Sequence, residues 1–226
     1  MTTSSQERPQ DSGGAGAIGL LAALPGELGD LEQFEQGRDS LLGVEVRRLE
    51  IEGRPVIAAV GGVGKVSAAG AASAILSMGA GGLLVVGTCG GLRRNMAPGD
   101  LVHCASAFQA DLGVREGRAH ESHPAWREAW QRVSPGIEGR YLTADRAVMG
   151  PLRRLRLARA FPGPCVADME TAAAAAVAAR AGVPWAALRV VTDRAGLLAG
   201  RVFAQNYPTL AGVPADTVPA LLRELP

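Results

Sequence analysis

Several short apolar runs in this sequence stop abruptly at glycines or acids, and that repeated arrangement constrains the fold more than any other feature. Ile18 to Leu24 stops at Pro25-Gly26-Glu27, and Leu83 to Val86 at the cluster Gly87 to Gly91. Cys165 to Ala167 stops at Asp168-Met169-Glu170, and Trp185 to Val191 at Thr192-Asp193. Short runs of this kind, closed by turn formers, read as strands buried on both faces. Alanine-rich stretches of helical length, Lys65 to Ser77 and Met169 to Ala181, lie between them. Strands alternating with helices predict a single α/β domain whose central sheet is flanked by helices on both faces. Val44 to Ile51 and Pro55 to Val60, joined at Glu52-Gly53, read as an antiparallel pair, so the sheet should be mixed.

The remaining elements follow from weaker signals. Gly26 to Phe34 reads as a polar helix, and Asp100 to Phe108 as a strand after the turn Pro98-Gly99. Trp126, Trp130 and Val133 stand at helical spacing after Pro124, which predicts a short amphipathic helix with the tryptophans in the core or a subunit contact. A strand is expected at Tyr141 to Thr143, and a last helix over Ala215 to Leu225. Leu152 to Ala160 reads as a helix with its leucines inward and Arg153, Arg154, Arg156 and Arg159 solvated. Residues 1–16, rich in Ser, Gln, Gly and Pro, read as a flexible tail before a domain spanning 17–226.

Charge and cysteine content exclude several classes. A formal net charge of +1 gives no case for nucleic acid or a membrane surface as partner. Cys89, Cys104 and Cys165 are odd in number and far apart, which fits a reducing cytoplasm rather than a disulfide framework. No apolar stretch approaches the roughly 18 residues of a membrane span. His103, His120 and His123 lack metal-ligand spacing, so neither metal nor cofactor is expected.

The glycine motifs need care. Gly61-Gly62-Val63-Gly64-Lys65 invites a phosphate-loop reading, but Ala59 and Val66 occupy positions where that loop needs glycine and Ser or Thr. A tight strand-to-helix turn is the plainer account. At Gly87 to Gly91, backbone N–H groups can approach a ligand, and Thr88 adds a hydroxyl at a strand's carboxyl end. Asp168-Met169-Glu170 can cap a helix, or it can grip a sugar, acids on the hydroxyls and thioether on the ring face. These clusters and Glu27 could converge on one pocket.

In order and spacing, these stretches resemble the nucleoside phosphorylase and nucleosidase superfamily, especially its 5′-methylthioadenosine/S-adenosylhomocysteine nucleosidase branch. The resemblance runs through Ile18-Gly19-Leu20-Leu21 with Glu27, Gly62-Val63-Gly64-Lys65-Val66 and Gly87-Thr88-Cys89-Gly90-Gly91-Leu92 with Pro98-Gly99-Asp100. It continues through Asp168-Met169-Glu170-Thr171-Ala172 and Leu188-Arg189-Val190-Val191-Thr192-Asp193. It implies cleavage of the N-ribosidic bond of a purine nucleoside, with Asp193 as the acid on N7 of the base and Glu27 as the activator of water. Glu170 would bind ribose hydroxyls, beside Met169 and Asp168, while Thr88, Cys89 and Gly90 face the nucleophile. Thr192 and Arg189 would orient the aspartate and the site, and Val148 would belong to the substrate wall. Ala147 stands where the family has a base-stacking aromatic.

The resemblance leaves three readings open: hydrolysis, phosphate-dependent cleavage, and silent nucleoside binding. Phosphorylases place arginines where this chain has Pro25-Gly26 and Val85-Val86, although Arg93 and Arg94 lie just beyond the glycine turn. The stretches around Thr171 and Trp185 to Arg189 are also similar to phosphorylase-like proteins linked to hopanoid synthesis, which keeps a lipid-linked nucleoside in view. The resemblance further implies a homodimer or larger homo-oligomer, with contact near Asp111.

Overall fold

The computed structural model describes residues 16–113 and 119–225, so the expected flexible tail falls, but for its last residue, outside the described residues. The chain runs β1 (Ile18–Ala22), a 3₁₀ stretch (Pro25–Phe34), β2 (Glu35–Leu41), β3 (Val44–Ile51), β4 (Arg54–Val60) and α1 (Lys65–Ser77). Next come β5 (Gly82–Gly91), β6 (Leu101–Gln109), β7 (Ala119–Glu121), α2 (Pro124–Val133), β8 (Ile137–Thr143) and α3 (Pro151–Ala160). The chain ends with β9 (Cys165–Asp168), α4 (Thr171–Ala181), β10 (Trp185–Asp193), α5 (Ala199–Leu210), α6 (Val213–Asp216) and α7 (Val218–Glu224).

The sheet is mixed, as expected. β1 lies between β4 and β5 in parallel, and β10 runs parallel to β5. The hairpin of β3 and β4 is antiparallel, and so is the pairing of β10 with β6. Strand order runs β10-β6-β8-β9-β5-β1-β4-β3-β2, and β10 also pairs with β5. Five strands therefore close into a ring, from which β1, β4, β3 and β2 extend as an open wing.

Helices cover both faces. On one, the alanines of α1 and α4 let these helices lie close to each other and to Leu83, Val85 and Tyr141. On the other, Trp126 and Trp130 of α2 pack with Leu221 and Leu222 of α7 against Leu84, Val86 and Leu188. Trp130 donates its indole N–H to Thr217 Oγ1 (2.7 Å), which lets the ring be buried without a stranded donor. Gly82 makes room for Trp126, since a Cβ there would lie 2.2 Å from the indole.

Three expectations need correction. The Gly26 to Phe34 helix is 3₁₀ in type and breaks at Gly29, whose φ is +53°. Helix α3 follows the amphipathic reading in its second half, where Arg156 and Arg159 are solvated and Leu157 packs inward, and departs from it in its first half. Leu152 and Leu155 face solvent, whereas Arg153 and Arg154 are half-buried and donate to the carbonyls of Ala147 (3.1 Å) and Arg194 (3.2 Å). The surface under that side of the helix offers carbonyl oxygens, which guanidinium groups satisfy and leucines cannot. The expected last helix over Ala215 to Leu225 is two short ones, α6 and α7.

Candidate active site

The ends of β5, β9 and β10 meet because of their register. Gly90 lies opposite Ala167 of β9 and opposite Asp193 of β10. The β10 ladder shifts between Val191 and Asp193, an irregularity that changes the aim of the side chains beyond it. Thr192 and Asp193, consecutive in sequence, both line one cavity of about 310 Å³. That size fits a small ligand.

All the residues expected at a site line this cavity. Glu27 and Thr88-Cys89-Gly90 form one side, and Asp168-Met169-Glu170 another. Arg189, Thr192 and Asp193 rise from β10, and Val148 closes the set. Ala147 is also in the wall. Val63 and Met149 stand in the wall as well, with Ala199, Gly200 and Phe203 of α5. Phe203 is the one aromatic ring among the described lining residues, and sequence reasoning missed it because residues 194–214 gave no periodic signal.

Glu27 is almost wholly buried, yet its carboxylate is saturated. Oε2 accepts the N–H groups of Ala23 (2.9 Å) and Leu24 (3.0 Å). Oε1 accepts the N–H of Thr88 (2.9 Å) and its hydroxyl (2.8 Å). A carboxylate has about four acceptor positions, and all are in use. Gly87 permits this approach: a Cβ there would lie 2.8 Å from the carboxylate, and its φ is +144°.

Arg189 is the hub on the opposite side. It is 1 % exposed and donates to Thr88 O (2.7 Å), Thr171 Oγ1 (3.0 Å) and Glu170 Oε2 (3.1 Å). Its Nε also lies 3.1 Å from Asp168 Oδ2. Burial opposes the charge, but Asp168 and Glu170 more than reverse that, so its pKa stands above the usual value. Asp168 further accepts the hydroxyl of Thr143 and the N–H of Thr171 (3.0 Å). Its carboxylate is therefore engaged with Arg189 and the start of α4.

The other two acids are less fully neutralised. Glu170 accepts the Gly64 N–H (2.9 Å), so the glycine turn before α1 cradles a carboxylate instead of a phosphate. Burial raises the pKa of Glu170, Arg189 works against that, and the charge of Asp168 raises it again. Asp193 accepts the Ala195 N–H (2.7 Å) and the Thr192 hydroxyl (3.2 Å), but burial outweighs them and raises its pKa. Burial likewise holds the Cys89 thiol protonated, well above its usual range.

Arginines near the glycine turn do not line the cavity. Arg93 is bound to the carbonyls of Gly163 (2.7 Å) and Phe161 (2.6 Å), and Arg94 faces solvent. Among the described residues, Arg189 is the single cation in the lining.

Fold and site together define an α/β protein with a cavity of small-molecule size, apolar in most of its wall and lined by four acids. Residues 17–222 match the Phosphorylase superfamily, and the chain belongs to it. It is 26% identical over 198 residues to the 5′-methylthioadenosine/S-adenosylhomocysteine nucleosidase of Shewanella halifaxensis (strain HAW-EB4), covering 79% of this chain and 86% of the relative. Among solved structures it is similar to an S-adenosylhomocysteine nucleosidase from Streptococcus pyogenes in complex with 5-methylthiotubericidin. The TM-score is 0.89 at 24% identity, with 96% of this chain and 100% of that chain covered. Futalosine hydrolase of Helicobacter pylori strain 26695 gives a TM-score of 0.87 at 23% identity, covering 92% and 98%.

Proposed function

We propose that this protein is a nucleosidase that hydrolyses the N-ribosidic bond of a purine nucleoside of the methylthioadenosine or S-adenosylhomocysteine type. The observation that carries the reading is the charge of the cavity: Glu27, Asp168, Glu170 and Asp193 against Arg189 alone. Cleavage of an N-ribosyl bond builds positive charge on the sugar, so such a lining stabilises the transition state more than the bound substrate. It is also a poor seat for phosphate, whose binding calls for unpaired cations or free N–H groups.

Each acid has a part. Asp193, whose pKa burial raises, donates to N7 of the base and makes it a better leaving group. Glu170, fixed by Gly64 N–H and Arg189, accepts hydrogen bonds from the ribose hydroxyls, with Met169 against the ring. Glu27 orients and activates water. Of its four donors, three are backbone N–H groups and one is the rotatable Thr88 hydroxyl, so water exchanges for the hydroxyl. Asp168 serves as a positioning residue for Arg189. Futalosine hydrolase shares the fold, so the substituent at the 5′ position is the open part of the specificity.

The working enzyme is a homo-oligomer in a reducing cytoplasm. Val66, exposed at the start of α1 next to the cavity-lining Val63, supports a subunit contact on this side. Lys65 there joins Asp111 (2.7 Å) and Asp145 (3.3 Å) across neighbouring loops. Among the described residues no helix is long and apolar enough to cross a membrane.

A chromatographic assay for free base tests the reading. Methylthioadenosine, S-adenosylhomocysteine, adenosine, inosine and guanosine are each supplied with and without phosphate, beside Asp193→Asn. Release without phosphate, reduced by ~10²–10⁴-fold in the variant, is expected. Release that requires phosphate would overturn hydrolysis, and absence of release from every nucleoside would overturn the proposed substrate class.

A further inference from the structure

The net charge of +1 conceals a segregation. From Arg146 to Ala167 the chain has five arginines and no acid, and from Arg194 to Ala215 two arginines and no acid. Both segments line the cavity, through Val148 and Met149 in one and Ala199, Gly200 and Phe203 in the other. They are knitted together: Gly150 N–H donates to Gly196 O (3.1 Å), and Arg154 donates to Arg194 O (3.2 Å).

The same two segments expose large apolar side chains. Leu152 is 83 % exposed, Leu197 81 %, Leu198 65 % and Met149 57 %. On α3, Leu152 and Leu155 share the solvent-facing side with Arg156 and Arg159, at helical spacing. A Cβ on Gly150 would lie 3.9 Å from Leu197, so the leucines of the loop and the start of the helix are neighbours. Exposed leucines interleaved with arginines and free of acids are the chemistry of an interfacial surface. The apolar tips enter the acyl boundary, while long basic side chains reach lipid phosphates.

We propose that this face docks on an anionic lipid bilayer, with Leu152, Leu155, Leu197 and Leu198 entering the headgroup layer and the surrounding arginines meeting lipid phosphates. The cavity then opens at the membrane surface. Charge complementarity selects this occupant: a second copy of the chain would bring the same arginines against themselves, with no acid in either segment to receive them. Docking is independent of which bond the cavity cleaves.

Co-sedimentation of the full chain with vesicles tests this, using phosphatidylglycerol mixed with phosphatidylcholine, and phosphatidylcholine alone. The protein is expected on the mixed vesicles at low salt, released as ionic strength approaches about 0.5 M, and absent from the neutral ones. Arg156→Gln with Arg159→Gln should weaken binding by roughly fivefold per charge. Leu152→Ser with Leu197→Ser should weaken it by about tenfold or more at unchanged charge. These leucines are exposed, so the melting temperature of the pair variant should match the parent. Leu42→Ser, 91 % exposed at the tip of the β2–β3 turn, is the control that leaves binding intact. Failure to bind anionic vesicles at low salt overturns the proposal, as does binding that the leucine pair leaves unchanged. Self-association that those leucines abolish, with no vesicle binding, would assign the face to a second copy and overturn it too.

Discussion

Replacing Arg189 with methionine should cost the fold about 4 kcal/mol at neutral pH, with a pH signature that identifies the cause. Removing one partner of a buried ion pair costs ~3–5 kcal/mol because the remaining charge stays desolvated. Two carboxylates are left here, and the Thr88 carbonyl and Thr171 hydroxyl lose a donor. Each acid keeps other partners, Thr143 and Thr171 N–H for Asp168, Gly64 and Met169 N–H for Glu170, which holds the figure to the middle of the range. For a domain of this size that corresponds to a fall of ~8–16 °C in Tm. Arg189 is the largest influence opposing the burial that raises the pKa of Glu170, so its loss raises that pKa further. An acid whose folded pKa lies above its unfolded value adds stability when protonated and loses it as pH rises through the folded pKa. The gap in Tm between parent and variant should therefore be narrow near pH ~4 and widen toward pH ~7. Differential scanning calorimetry across that range reads both quantities. A fall below ~3 °C at pH ~7, or a gap of equal width at both ends, would refute the account of Arg189 as the counter-ion of two buried acids.

Three further outcomes follow from the same geometry. Gly87→Ala forces a Cβ to within 2.8 Å of the Glu27 carboxylate at a φ of +144°, and should lower base release by about 10²-fold through displacement of Glu27; an unchanged turnover would remove Glu27 from the chemistry. Phe203→Ala, a half-buried change on α5, should raise KM by roughly tenfold with little effect on Tm, measured by initial rates and a thermal melt. The turnover number should fall as pH rises through the raised pKa of Asp193, because the protonated carboxyl is the donor, and Asp193→Asn should flatten that limb of the profile.

The strands were readable where they are buried on both faces. β1, β5 and β10 are apolar over most of their length, and the glycines that close β5 and the acid that closes β10 are conspicuous by contrast. Pairings are not readable in that way: nothing local says that β10 lies between β5 and β6, or that the ring closes. β2 escaped notice because Glu35–Leu41 carries almost no apolar residue, and its ladder to β3 holds it at the sheet's edge. α5 escaped for a related reason. Only Ala199 on it is buried, and Gly200 and Pro208 interrupt any stripe, so the helix that brings Phe203 to the cavity leaves no periodic trace. In α3 the leucines at helical spacing imply one buried face, yet only Leu157 packs on the apolar cluster, while Arg153 and Arg154 meet carbonyls where Leu152 and Leu155 turn to solvent. The acids that line the cavity are visible in the sequence near strand ends, but the division of hydrogen-bond partners among them is not. Asp168 stands in sequence as Glu170's twin, and only the fold turns its carboxylate toward Arg189 and Thr143.

That division of partners resolves a physical difficulty in the site. Crowding four carboxylates into a buried cavity with one guanidinium is unfavourable, and the fold relieves it in three different ways. Asp168 is paired with Arg189, Glu27 is surrounded by hydrogen-bond donors, and Glu170 shares the same guanidinium with the N–H of Gly64. Asp193 has no cationic partner in this set, and the remaining relief open to it is to hold a proton, the direction in which burial moves it. In the proposed reaction the leaving base needs that proton, and once Asp193 has given it up, its new negative charge faces a sugar that has become positive. Thus a further negative charge that would be costly at rest is matched by the positive sugar at the moment of bond cleavage, and the acids stabilise the transition state more than the bound substrate.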